Sequence, residues 1–145
     1  MAQLNLVIVS GLSGSGKSHA LKAFEDAGYF CIDNLPPALI PTFVELCNQQ
    51  GGEISNVALG VDVRERVFFS DLVGTLERIR SLGYAIHLLF LEARDEVLVR
   101  RFSESRRPHP LLPHLPVLEG VRFEKERVAE LRRHADRIID TSDLT

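Results

Sequence analysis

Residues 4–10 (LNLVIVS) are almost continuously apolar, rich in β-branched side chains, and end at a glycine. That pattern predicts a strand buried on both faces. A helix follows to about Asp26, with Ala20, Leu21 and Phe24 at helical spacing and Gly28 as its stop. Residues 29–32 (YFCI) read as a second strand ending at Asp33. Pro36 and Pro37 break the chain, and Ile40, Phe43, Val44 and Cys47 then mark one helical face. Pro41 falls in the first turn, where proline is tolerated. Residues 57–61 (VALGV) read as a third strand ending at Asp62; Phe68, Leu72, Leu76 and Ile79 stripe a helix that stops near Gly83. Residues 85–91 (AIHLLFL) predict a fourth strand and residues 95–103 a helix. Residues 107–116 contain four prolines and predict a loop. Leu118, Val121, Val128 and Leu131 suit one final long helix, and residues 138–140 a short fifth strand.

Strands and helices alternate throughout. The expected fold is α/β, a five-stranded parallel sheet with helices on both faces. The chain reads as one domain, residues 1–145, without repeat, low-complexity tract or internal linker. Thr141-Ser142-Asp143 would cap a further helix, which such a sheet normally carries. The expectation is therefore an N-terminal part of a longer protein.

Composition narrows the classes. Of the 145 residues, 45% are hydrophobic and 26% charged, as in an ordinary globular domain. A net charge of −3 disfavours nucleic-acid binding by the domain as a whole, while leaving room for a local basic patch. Cys31 and Cys47 have no metal-ligand spacing and are expected to be buried free thiols. No signal-peptide pattern and no long apolar run is present, so a cytoplasmic location without membrane partners is the default expectation.

The sharpest chemical signal is Gly11-Leu12-Ser13-Gly14-Ser15-Gly16-Lys17-Ser18, which fits G-x-x-x-x-G-K-[ST] between a predicted strand and helix. Glycines let the backbone turn its N–H groups toward phosphates, and the helix aims its N-terminus at the same anion. Lys17 would reach the β- and γ-phosphates, and the Ser18 hydroxyl would hold Mg²⁺. The expected fold is thus a P-loop NTPase with a kinase-like five-stranded parallel sheet, in which the third strand lies beside the first.

Ligands of open parallel sheets bind at the carboxyl ends of the strands, where Asp33, Asp62 and Glu92 stand. Asp62 is the candidate second Mg²⁺ ligand, directly or through water. Asp33 reads either as a base that positions a nucleophile or as a turn residue. Glu92 reads as a helix-cap or surface acid. Arg100, Arg101, Arg106 and Arg107 lie just before the proline-rich stretch. They would serve as a lid that neutralises charge on the transferring phosphoryl, Arg101 and Arg106 foremost, or as a solvated helix face. His109 and His114 read as loop residues.

GLSGSGKSHALKAFEDAGYFCIDNLPPALIP closely resembles the opening of the RapZ/YvcJ nucleotide-binding proteins. Asp62-Val63-Arg64, LLFLEARDEVLVRRFSESRRPHPL and RIIDTS extend the resemblance over nearly the whole chain. The resemblance implies binding and hydrolysis of ATP and GTP, with ATP at Gly11 to Ser18. It implies a second stretch, assigned to GTP, at Asp62, Val63, Arg64 and Glu65. It also implies a C-terminal domain, absent here, which in some members binds small RNA and acts as an adapter to an endoribonuclease.

Three functions follow: a slow regulatory NTPase, a small-molecule kinase, or a nucleotide sensor without turnover. The residues alone favour the first two equally, and the resemblance favours the NTPase. No N-K-x-D guanine reader is present, which argues against a dedicated GTPase. Homo-oligomer formation stays open.

Overall fold

A computed structural model describes residues 4–49, 55–62, 66–105, 111 and 116–143. In chain order it runs β1 (Asn5–Gly11), α1 (Lys17–Asp26), β2 (Phe30–Ile32), a 3₁₀ turn (Pro37–Leu39), α2 (Ile40–Gln49) and β3 (Asn56–Gly60). It continues through α3 (Arg66–Ser81), β4 (Ala85–Glu92), α4 (Asp95–Ser105), α5 (Val117–Arg127), α6 (Ala129–His134) and β5 (Arg137–Asp140).

The strands form one parallel sheet in the order β2-β3-β1-β4-β5. β1 is therefore central, and the third strand lies beside the first, as the sequence predicts. Alternation along β1 divides the core into two layers. Leu6 and Ile8 face a large layer with Leu59, Leu88 and Phe90, covered by α2 to α6 through Val44, Leu72, Leu98, Val121 and Leu131. Val7 and Val9 face a smaller layer with Ala58, Leu89 and Leu91, covered by Leu21 of α1. Complete burial of Leu6, Ile8, Val9, Val57 and Leu59 supplies the main hydrophobic stabilisation of the sheet.

Two local expectations change. The single final helix is two, α5 and α6, parted at Val128, whose φ of −102° and ψ of 8° leave the helical region. The backbone stays satisfied there: Val128 N–H donates to Glu124 O, and Arg132 N–H donates to Val128 O. Cys47 is buried, but Cys31 is only half-buried; both are free, and burial pushes both thiols up. No helix among the described residues is long and apolar enough to cross a membrane.

Candidate functional site

The segment after β1 turns at the carboxyl edge of the sheet. Leu12 is its anchor: the side chain is buried in the larger core layer, and its N–H donates to Leu91 O at 3.1 Å. The turn closes on itself when Ser15 N–H and Oγ both donate to Leu12 O, at 3.0 and 2.5 Å. Gly14 (φ 81°) and Gly16 (φ 102°) adopt left-handed backbone that only glycine takes without strain. Gly16 is the N-cap of α1, and no side chain caps that helix.

Amide accounting shows what the loop offers. Leu12, Ser13 and Ser15 direct their N–H groups to protein acceptors. Among the described residues, the N–H groups of Gly14, Gly16, Lys17 and Ser18 donate to no protein acceptor. Such orphan donors at a helix N-terminus form an anion site, reinforced by the helix dipole.

Lys17 and Ser18 open α1. The Lys17 Nζ lies 4.0 Å from Asp33 Oδ1, with the side chains 22% and 39% exposed. Asp33 also accepts from Asn34 N–H at 2.8 Å, so it organises its own turn while facing the lysine. Gly60 makes that approach possible. A Cβ there would fall 2.4 Å from Asp33 Oδ1 and 2.7 Å from Leu21 Cδ1. Leu35 N–H donates to Gly60 O, tying the turn after β2 to β3.

Asp62 follows β3 on the same edge, two residues beyond Gly60, whose partner in β1 is Val9. Val61 N–H donates to Val9 O, continuing that register toward the loop. Ser18 is exposed and Asp62 half-buried. No group of three or more His, Cys, Asp or Glu capable of holding a metal occurs among the described residues. Ser18 and Asp62 are nonetheless hard oxygen donors of the type Mg²⁺ takes together with phosphates and water. The donor set therefore fits a nucleotide-bound Mg²⁺.

The remaining candidates separate. Arg101 is on α4, with its guanidinium donating to Gly14 O (3.0 Å), Thr141 Oγ1 (3.0 Å) and Thr141 O. It thus grips loop carbonyls from within a helix. Arg100 is exposed on the same helix. Glu92 makes a two-pronged ion pair with Arg132, at 2.7 and 3.0 Å. Val63, Arg64, Glu65, Arg106, Arg107, His109 and His114 lie outside the described residues.

Three participants were missed in the sequence reading. Glu124 of α5, only 1% exposed, accepts from Ser13 N–H at 2.9 Å and from Ser13 Oγ at 2.8 Å. Its signal was legible, because it interrupts the apolar stripe of Val121 and Val128. Gly60 also left a trace, a glycine inside an apolar strand, which marks close approach. Thr141, whose Oγ donates to Ser15 O at 2.7 Å, left none beyond its place after β5.

A glycine-rich loop between the central strand and a helix, in a parallel sheet of this order, defines a P-loop protein with a kinase-like fold. Solved structures of that fold agree. Shikimate kinase from Acinetobacter baumannii, in complex with shikimate, superposes with a TM-score of 0.61 at 14% identity, over 97% of this chain and 86% of that one. Shikimate kinase from Bacteroides thetaiotaomicron gives 0.60 at 18% identity, over 94% and 86%. Within this class, a family model for the RapZ-like N-terminal domain matches residues 4–145, and the chain belongs to that family. A Clostridium botulinum relative named a nucleotide-binding protein is 50% identical over 141 residues, 97% of this chain. The chain spans about half, 48%, of that relative's length.

Proposed function

We propose that this chain binds ATP and GTP with Mg²⁺ and hydrolyses them slowly, as the nucleotide-binding module of a longer RapZ-like protein of the cytoplasm. The observation that carries the reading is the set of unpartnered amides at Gly14, Gly16, Lys17 and Ser18 beside the Lys17 ammonium. These donors complement the charge of a polyphosphate. The name of the Clostridium botulinum relative supports nucleotide as the ligand.

Catalysis in this reading is positioning plus electrostatics. The loop amides orient the phosphate chain, and Lys17 neutralises charge on the β- and γ-oxygens. Asp33, facing Lys17, orients the attacking water and accepts its proton. Mg²⁺, held by Ser18 and Asp62, would supply charge neutralisation at the phosphates. Asp62, Val63, Arg64 and Glu65 form the second nucleotide contact, and Arg106 completes the charge neutralisation. Arg101, bonded to Gly14 O, acts by supporting the loop. Small RNA and an endoribonuclease belong to the C-terminal half of the longer protein.

The 4.0 Å approach of Asp33 to Lys17 favours one other reading, transfer of the γ-phosphoryl to a small-molecule hydroxyl. Phosphate release from ATP and GTP with Mg²⁺, compared with Lys17→Ala, tests the pair. Release without any acceptor that falls at least about 10²-fold in Lys17→Ala is the expected result. Release unchanged by Lys17→Ala rejects the site. Lysine-dependent turnover only after an acceptor is added transfers the assignment to a kinase.

A further inference from the structure

The Leu12–Ser15 side of the loop is held by groups distant in sequence, and one of them is a buried acid. Glu124 stands 111 residues from Ser13 and takes both of its donors, one on each carboxylate oxygen. A buried carboxylate is costly unless such charge-assisted bonds compensate it. Its helix is fixed in turn, since Lys125 and Arg122 reach Asp95 at the start of α4, at 2.5 and 3.7 Å. α4 supplies Arg101 to Gly14 O, and Phe102 and Leu98 pack where a Gly14 side chain would go, at 3.4 and 3.8 Å. The helix pair α4–α5 thus grips Ser13 and Gly14 from two elements.

We infer that Glu124 is a positioning residue for nucleotide binding: by holding Ser13 N–H and Oγ, it presets the loop with the amides of Gly14, Gly16, Lys17 and Ser18 turned to the phosphates. The inference rests on the nucleotide-binding reading above. The charge and two oxygens of a carboxylate suit this task because Ser13 presents two donors at once. With the Ser13 and Ser15 amides committed, the phosphate-facing set is confined to Gly14 and the segment Gly16 to Ser18. Pre-organisation of this kind raises affinity by removing the ordering cost from the binding step.

Titration of this chain with a fluorescent ATP analogue and Mg²⁺ tests the role. Glu124→Ala weakens binding about tenfold, the worth of one charge-assisted hydrogen bond. Glu124→Gln restores it to within about threefold, because its amide accepts Ser13 N–H and donates to Ser13 Oγ. Ser13→Ala, which leaves α5 untouched, weakens binding about threefold alone and adds almost nothing in the Glu124→Ala background. Val121→Ala, a cavity in the same helix, lowers thermal stability but changes affinity less than about twofold. Undiminished affinity in Glu124→Ala overturns the inference, as does an equal loss in Val121→Ala. Lys17→Ala separates the levels: lost binding there with full binding in Glu124→Ala rejects Glu124 alone, and full binding in both rejects the nucleotide site.

Discussion

The two halves of the phosphate loop are built on opposite plans. From Leu12 to Ser15, polar groups are tied to distant elements: Leu91 O, Glu124, Arg101 and Thr141. From Gly16 to Ser18 the backbone N–H groups are unpartnered among the described residues, and the Lys17 ammonium stands 4.0 Å from Asp33 Oδ1. The contrast has a physical sense. Donors that serve a ligand must be free of protein acceptors, and they keep their direction only if adjoining backbone is fixed. The first half is mainly scaffold and lends only the Gly14 N–H to the working surface, which the second half supplies.

The largest effects belong to the open half. In the hydrolytic reading, Asp33→Asn lowers the rate of phosphate release about 10²-fold with little change in nucleotide affinity, because it removes a base without removing a phosphate donor. Asp62→Asn raises the Mg²⁺ concentration needed for half-maximal release and leaves the rate at saturating Mg²⁺ closer to wild type. Steady-state release across a Mg²⁺ series, alongside nucleotide titration, separates the two. If Asp33→Asn shifts the Mg²⁺ requirement and Asp62→Asn does not, the metal ligand is misplaced.

Gly60→Ala affects both stability and chemistry. The added Cβ meets the Asp33 carboxylate and Leu21 at distances no real Cβ tolerates, so Asp33 must leave its place near Lys17 or the strand must shift. The expected cost is about 1–3 kcal/mol by urea unfolding. A rate loss should accompany it. Full stability and full activity in Gly60→Ala would break the geometric link between β3 and the Lys17–Asp33 pair.

Legibility in the sequence follows the same division. The open half was readable because its signal is local: an apolar strand, then glycines at fixed offsets, then Lys17-Ser18 opening a helix. The place of the third strand beside the first was readable through the kinase-like precedent. Asp33 stayed ambiguous because turn chemistry and a catalytic role use the same residue type at the same strand end, and the structure shows it both bonded to Asn34 N–H and 4.0 Å from Lys17. The scaffold half was mostly hidden. Ser13 and Glu124 meet only through the packing of α5, and Ser15 and Thr141 only through the arrival of β5, 126 residues later. The break between α5 and α6 was missed because the apolar spacing from Val121 to Leu131 continues through it.

The smallest expected effect falls on the scaffold half, at Thr141. Its hydroxyl donates to Ser15 O and accepts from Arg101, while its carbonyl accepts a second Arg101 bond. Thr141→Val keeps the shape and the carbonyl but deletes the hydroxyl, leaving the buried end of the loop with one acceptor unsatisfied. The loss should be about 1 kcal/mol, because Arg101 still holds Gly14 O and Glu124 still holds Ser13. Affinity for the fluorescent nucleotide should fall no more than about fivefold, the affinity equivalent of that loss. Combining Thr141→Val with Glu124→Gln sharpens the comparison. A combined loss larger than the two single losses added would mean that both ends grip one cooperative loop. Simple additivity would mean that Ser13 and Ser15 are held independently, and that the scaffold half is two separate attachments.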